Sequence, residues 1–339
     1  MLAAPNGPPV RRGRLAFAIR LVVSAGLITY LLWRIPLERV LATVAASDVA
    51  LLAVAFALHA SGFLLSALRW RLLLTAVIRP PKLWSLMRAY LIGVFCNQFL
   101  PSTIGGDLYR SLDVAALSGL PRGQSLAVVV VERTIGALAL FSYAAAALVL
   151  GFGHLVDKPG VVASIGVLGL LFAGLLVLLT PWSRAAVRRQ LARGPLARLL
   201  PALDRAFGAA KDIGQRKRVL AGAVVLSLVF QLNVVIHYIL VGTALGLPLG
   251  LEAYFLVIPV VLLVLQVPAS LNGVGLREFL FVVFLSPAVW GAEGATESGA
   301  LAYGLTVWAM ILLQGMVGGV FFALRRRMVG GLDSGEGGG

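Results

Sequence analysis

Charge is what this 339-residue sequence has least of. Charged residues make up 13% of it and hydrophobic residues 60%, whereas an ordinary soluble domain is roughly 25% charged. A water-soluble chain this apolar could not cover its own surface, which excludes a soluble enzyme and a DNA-binding module. Cysteine occurs once, at Cys96, which excludes an intramolecular disulfide and a Cys-rich metal site. There is no Walker A loop, so no nucleotide-driven motor is encoded. Neither an Asp-x-Asp pair nor a His-Glu-x-x-His run is present, so metal–sugar-nucleotide chemistry and zinc proteolysis have no signature here. No cofactor and no metal are expected. The net charge of +15 would suggest nucleic acid in a polar chain. Here it reads as Arg and Lys held on the cytoplasmic side of a membrane, with no nucleic-acid partner.

What the sequence has in abundance is apolar runs of spanning length, about 20 residues each. Eight segments are expected at Leu15–Trp33, Val49–Leu68, Ser125–Gly151, Val161–Trp182, Val219–Leu247, Ala253–Val267, Leu276–Leu285 and Ala300–Leu324. The sixth and seventh are too short to cross alone, and Leu83–Leu100 is also brief and ends at Pro101. Short apolar runs closed by Pro and Gly predict re-entrant or broken helices. The first span has a basic front (Arg11, Arg12, Arg14) without a small-residue cleavage site, and reads as a retained anchor. The organisation expected is a disordered tail at 1–14 and a transmembrane domain at 15–327. That domain has halves at about 15–152 and 161–327 and a basic cytoplasmic loop at 183–218, and a disordered tail follows at 328–339. The fold class is an all-α polytopic membrane protein in two inverted halves, each with a broken helix.

Loop charge sets the orientation. With the N-terminus inside, the exterior loops carry Arg34, Arg39 and Lys158 against Glu38, Asp48, Asp157, Glu252, Glu293 and Glu297. The interior loops hold Arg69, Arg71, Arg79, Lys82, Arg88, ten basic residues from Arg184 to Arg218, and Arg325–Arg327. This positive-inside asymmetry places both termini in the cytoplasm. It requires the Leu83–Leu120 region to enter from the cytoplasm and return there. Leu196, Leu199, Leu200, Leu203 and Phe207 recur at helical spacing, which predicts a basic amphipathic helix on anionic inner-leaflet lipid.

Two loops interrupt the apolar pattern in the same way. One runs Asn97-Gln98-Phe99-Leu100-Pro101-Ser102-Thr103-Ile104-Gly105-Gly106-Asp107-Leu108-Tyr109-Arg110. The other runs Gln266-Val267-Pro268-Ala269-Ser270-Leu271-Asn272-Gly273-Val274-Gly275-Leu276-Arg277-Glu278. Nine positions separate Pro from Arg in each, and the prolines lie 167 residues apart. Opposite entry sides make this the pattern of an inverted repeat whose broken helices meet near the bilayer midplane. Pro and Gly stop a helix and leave free N–H groups, which bind anions. Arg110 and Arg277 add a permanently charged fork suited to phosphate oxygens. Asp107 and Glu278 are positioned in sequence to balance those arginines or to carry a proton.

A third polar cluster, Glu132-Arg133 with Gly136, falls inside the span that begins near Ser125. Intramembrane charges face a cavity or each other, and neighbours on a helix point about 100° apart. The expected pairs are Glu132 with Arg110 and Arg133 with Asp107; ion pairs that merely fix helix packing are the plainer alternative. Gln231, Asn233 and His237 are expected to bond helix to helix, and His59 to pack. Arg69-Trp70-Arg71 reads as an inner-leaflet anchor, and Trp33, Tyr90, Trp182 and Trp290 as interfacial anchors.

The stretches Asn97–Arg110, Glu132–Gly136 and Pro268–Glu278 together resemble the flippase-like, lysylphosphatidylglycerol synthase transmembrane-region family, over about Leu15 to Leu324. The Pro-Ser-x-x-Gly-Gly-Asp-x-x-Arg run is the most specific part of the likeness. The resemblance implies a polytopic inner-membrane protein with two re-entrant segments. Some relatives move an aminoacylated phospholipid between leaflets, and others act near polyprenyl-linked sugars. The best-known relatives continue into a large soluble aminoacyltransferase domain. This sequence reaches Gly339 soon after Arg325–Arg327, so lysyl transfer is not expected of it.

The function expected is translocation of a phosphate-bearing lipid, a phospholipid or polyprenyl-phosphate lipid, working with a separately encoded transferase. The alternatives are a membrane-embedded transferase acting on lipid-linked sugar, with the same acids as general base, and a non-catalytic envelope-assembly partner. The expected substrate-binding set is Asn97, Gln98, Pro101, Ser102, Gly105, Gly106, Asp107, Arg110, Glu132, Arg133, Pro268, Ser270, Asn272, Gly273, Gly275, Arg277 and Glu278.

Overall fold

Leu, Val, Ala and Phe occupy every face of the long segments, so the helices they form cannot bury one stripe and turn the rest to water. A computed structural model of the protein describes residues 9–99, 104–155, 200–267, 269–285 and 296–333, with short pieces at 166–167, 169–170, 173–174, 185–186 and 188–189. Its described elements are all helical. They are α1 (Pro9–Arg34), α2 (Leu37–Ala45), α3 (Val49–Leu74), α4 (Leu83–Phe99), α5 (Ile104–Ser118), α6 (Arg122–Leu155), α7 (Leu200–Gln215), α8 (Lys217–Ala244), α9 (Leu251–Val264), α10 (Leu276–Phe284) and α11 (Glu297–Asp333). Five of them, α1, α3, α6, α8 and α11, contain apolar stretches long enough to cross a bilayer. Large apolar side chains such as Val22, Val49, Val130 and Val320 are exposed along these helices, as lipid contact requires. The protein is an all-α polytopic membrane protein.

The expected span Val161–Trp182 lies largely outside the described residues, as do Pro101, Ser102 and Pro268. Helix α3 runs six residues beyond the expected Leu68, because Leu72, Leu73 and Leu74 continue the apolar pattern past Arg69 and Arg71. Helix α1 begins at Pro9 and α11 continues to Asp333. The region of Glu38 and Arg39, read as loop, forms α2, with Val40 buried and Leu37 and Leu41 exposed. Helix α7 covers the second half of the expected amphipathic segment and packs against α6, with Ile213 buried among Trp70, Leu73 and Val128.

Helices α3 and α8 lie antiparallel along their length. The Asp48 N–H donates to the Ala244 carbonyl at 2.9 Å, Asn233 donates to the Leu58 carbonyl at 3.1 Å, and His237 Nδ1 lies 3.0 Å from the Ala55 carbonyl. Helix α5 folds back along α4. A Cβ on Gly106 would collide with the Gly93 carbonyl oxygen, so glycine is what lets these backbones touch. Helix α11 lies across both breaks, with Gly315 against Gln98 and Gly304 against Glu278. Arg34 at the end of α1 is paired with Glu297 at the start of α11 through both carboxylate oxygens. Those two ends share one face of the molecule, as do the start of α3 and the end of α8.

Candidate functional site

Glu132 is the centre of the first cluster. It sits ten residues into α6, about 15 Å along the axis from Arg122, and is fully buried. A lone carboxylate there would be prohibitively costly, and each of its oxygens takes a guanidinium. Arg110 Nη1 donates to Oε2 at 2.5 Å and Arg69 Nη2 to Oε1 at 2.8 Å. Arg69 Nη1 also donates to Ser227 Oγ at 3.0 Å. The triad thereby ties α3, α5, α6 and α8 together. Arg110 is held further by its Nε–H to Asp107 Oδ1, 3.0 Å. Its guanidinium lies 4.9 Å from the centroid of the Trp70 ring and 4.6 Å from that of Tyr90, a cation–π cage. Arg133 bonds Asp107 through two nitrogens, Nε at 2.8 Å and Nη2 at 3.0 Å, with its side chain half exposed. Glu132 and Arg133 therefore have different partners, and both expected pairs form.

The same geometry corrects three readings. Arg69 and Trp70 are not leaflet anchors: both are buried, and they bind and cover the network. Tyr90 is not an interfacial anchor, since its ring packs on Arg110. A span that ends at Leu68 leaves Arg69 outside it; the leucines that follow are the signal that extends it. Trp33, by contrast, is 84% exposed at the end of α1.

At the first break Asn97 Oδ1 accepts the Gly106 N–H at 2.7 Å, closing the α4–α5 hairpin. At the second, Gly273 and Gly275 have φ of +80° and +79°, and Asn272 has φ +49°, the one non-glycine positive φ among the described residues. Glycine adopts such angles freely; Asn is among the few others that do. Ser24 of α1, absent from the sequence-based set, supports this turn: its Oγ accepts the Leu271 N–H at 3.0 Å, and its carbonyl would collide with a Cβ on Gly275. Ser270 is buried. The two breaks meet: Asn272 Nδ2 donates to Gln98 Oε1 at 2.9 Å.

Arg277 and Glu278 do not pair, contrary to the expected balance of charge. Glu278 Oε2 accepts the Gly275 N–H at 2.7 Å and so caps α10. Adjacency in sequence points the two side chains apart, and the backbone takes the carboxylate. Arg277 is buried, and its Nε and Nη1 have no partner among the described residues. The two clusters thus differ: in one, Arg69 and Arg110 each face the Glu132 carboxylate, although Arg69 Nε and Arg110 Nη2 have no hydrogen-bond partner, and Arg133 stands at the edge; in the other, beside the second break, a guanidinium has no carboxylate partner among the described residues.

A polytopic α-helical membrane protein with two interrupted helices joined through their polar breaks is the class that fold and site define. The chain belongs to the family described as lysylphosphatidylglycerol synthase TM region, whose model matches residues 17–318. That membership relates it to lipid handling in a membrane. No curated protein and no solved structure matches it.

Proposed function

We propose that this protein is a lipid translocase of the inner (plasma) membrane, with both termini in the cytoplasm, carrying a phosphate-bearing lipid between leaflets. The substrate class is a phospholipid, an aminoacyl- or glyco-phospholipid, or a polyprenyl-phosphate lipid. One observation carries the reading: the breaks meet at the Gln98–Asn272 bond, and beside the second of them lies a buried guanidinium with unfilled donors, Arg277. A cation kept unpaired at membrane depth is expensive, and the positive end of α10, in whose first turn it stands, raises that cost. A phosphodiester relieves both, because its two oxygens match the guanidinium fork.

Arg133 is the other station. Its side chain is half exposed above a largely covered Asp107, so a lipid phosphate can reach Arg133 while Asp107 keeps its bond to Arg110. Arg110, Glu132 and Arg69 hold α3, α5, α6 and α8 in register without touching the head group. Parting of the Gln98–Asn272 contact as the two halves rock carries the phosphate from one station to the other. With no nucleotide motif, the drive comes from lipid gradients, ions or a partner such as a separately encoded transferase.

The test is reconstitution in liposomes, following a fluorescent phospholipid between leaflets by reduction of the outer-leaflet dye. Wild-type protein is expected to move lipid, and Arg277→Ala and Arg133→Ala to lose most of that movement. Covalent change of the lipid instead would favour a membrane-embedded transferase. Folded wild-type protein that leaves every lipid of the class in its leaflet overturns the reading.

A further inference from the structure

Between α6, α8 and α9 lies a cleft of about 480 Å³ that takes no part in the site above. Tyr143, Ala146 and Ala147 of α6, Leu228 of α8 and Phe255 of α9 form its walls, and Glu252 is the one charged side chain among its described lining residues. The Tyr143 and Phe255 rings are stacked, 8° from parallel with centroids 6.2 Å apart. The polar atoms of the wall are committed elsewhere. Tyr143 O–H donates to the Leu228 carbonyl at 2.9 Å, and Ser142 O–H to the Ala139 carbonyl at 2.8 Å.

Glu252 differs. Its side chain is exposed, and among the described residues it has no ion pair or hydrogen-bond partner. Its position in the first turn of α9 gives it partial support from the helix dipole, but it pairs with no cation among the described residues. The cleft also has the right reach. Ala244, where α8 ends, accepts the Asp48 N–H at one face of the molecule. Leu228 lies sixteen residues earlier, about 24 Å inward along the helix. With a hydrocarbon core of about 30 Å, the Leu228 wall of the cleft lies deep in the bilayer, and Glu252 stands in the first turn of the helix that follows the Ala244 end.

We infer that this cleft seats one acyl chain of a phospholipid whose head group carries a primary ammonium, with that ammonium on Glu252. The occupant follows from the surroundings and the charge. Hydrocarbon is what bathes an apolar slot between spanning helices, and the only uncommitted polar group among its described lining residues is a carboxylate. An anionic head group would meet like charge there and be disfavoured. The site stands whether or not the protein moves lipid, because occupancy needs no transport.

The probe is phosphatidylethanolamine with a photoreactive group midway along one acyl chain, in bilayers of phosphatidylglycerol holding the full-length protein. Labelled residues are mapped by mass spectrometry. Labelling is expected to concentrate on Ser142–Ala147 and Phe255, and unlabelled phosphatidylethanolamine should compete with it while its N-acetylated form does not. Glu252→Gln should reduce that discrimination by about fivefold, the scale of a partly exposed ion pair, and Ala146→Trp should empty the cleft of label. Labels spread evenly over the lipid-facing sides of α1 and α3, or competition blind to the amine, would overturn the inference. Both of those readings come from the wild-type protein and do not depend on a variant folding.

Discussion

Glu132 carries a guanidinium on each carboxylate oxygen, whereas Arg277 has two donors that nothing in the described structure accepts. These burials make opposite predictions. Glu132→Gln leaves Arg69 and Arg110 without their shared counter-charge, and should cost about 3–5 kcal/mol of stability, the range for breaking a buried pair. Denaturation in detergent micelles measures it, and an unchanged midpoint would contradict the network. Arg277→Met removes a cation that no partner repays, so stability should hold or rise while lipid movement falls away. Parallel thermal and liposome assays check this; a large loss of stability would mean that Arg277 serves packing. At this scale the sequence told most where charges recur at helical spacing. Asp107 and Arg110 lie on one face, and Glu132 with Arg133 demanded two partners, so the pairings could be written from spacing alone. Arg69 was hidden by a span boundary drawn one residue early. The bond of Glu278 to Gly275 was hidden by its neighbour Arg277, although a carboxylate three residues into a helix often reaches back to the cap backbone.

Between elements, glycines set the distances. Gly106 and Gly93 bring α5 onto α4, and Gly318 does the same for α11 against the Leu91 carbonyl. Gly106→Ala forces backbone apart and should destabilise the hairpin by more than 1 kcal/mol, as overpacking does at about 1–3 kcal/mol. Gly208→Ala, in α7 with open space around it, should instead stabilise by about 0.5–1 kcal/mol through helix propensity alone. Comparing the two midpoints in one detergent separates close packing from propensity; equal shifts would contradict the hairpin. Here the sequence was less legible. The glycine pairs were visible as turn signals, but that Gly106 meets another glycine thirteen residues away depends on how α5 folds back. Helix α2 was missed because Glu38 and Arg39 look like loop charge, even though Leu37, Val40, Leu41 and Val44 have helical spacing. The support given by Ser24 had no signal at all, since one serine in an apolar helix names no partner.

For the whole molecule, topology follows from helix ends that share a face. Arg34 with Glu297, and Asp48 with Ala244, set the ends of α1, α3, α8 and α11 together, where the loops are acidic. In a Cys96→Ala background, Ser47→Cys and Thr296→Cys should react with an impermeant maleimide applied from outside, and Thr75→Cys only after permeabilisation. Reaction of Thr75→Cys in intact cells would reverse the orientation. Apolar length and loop charge made the membrane class readable from composition, because a bilayer imposes both. The meeting of the breaks was legible only as a repeat, and its atoms, Gln98 and Asn272, are amides whose partners no spacing rule supplies. Gln98→Cys and Asn272→Cys, introduced together without Cys96, should be bridged by a short, reducible bifunctional thiol reagent. Bridging is predicted to stop lipid movement in liposomes, and reduction to restore it. A pair that cannot be bridged, or a bridged protein that still moves lipid at the unbridged rate, would contradict the account.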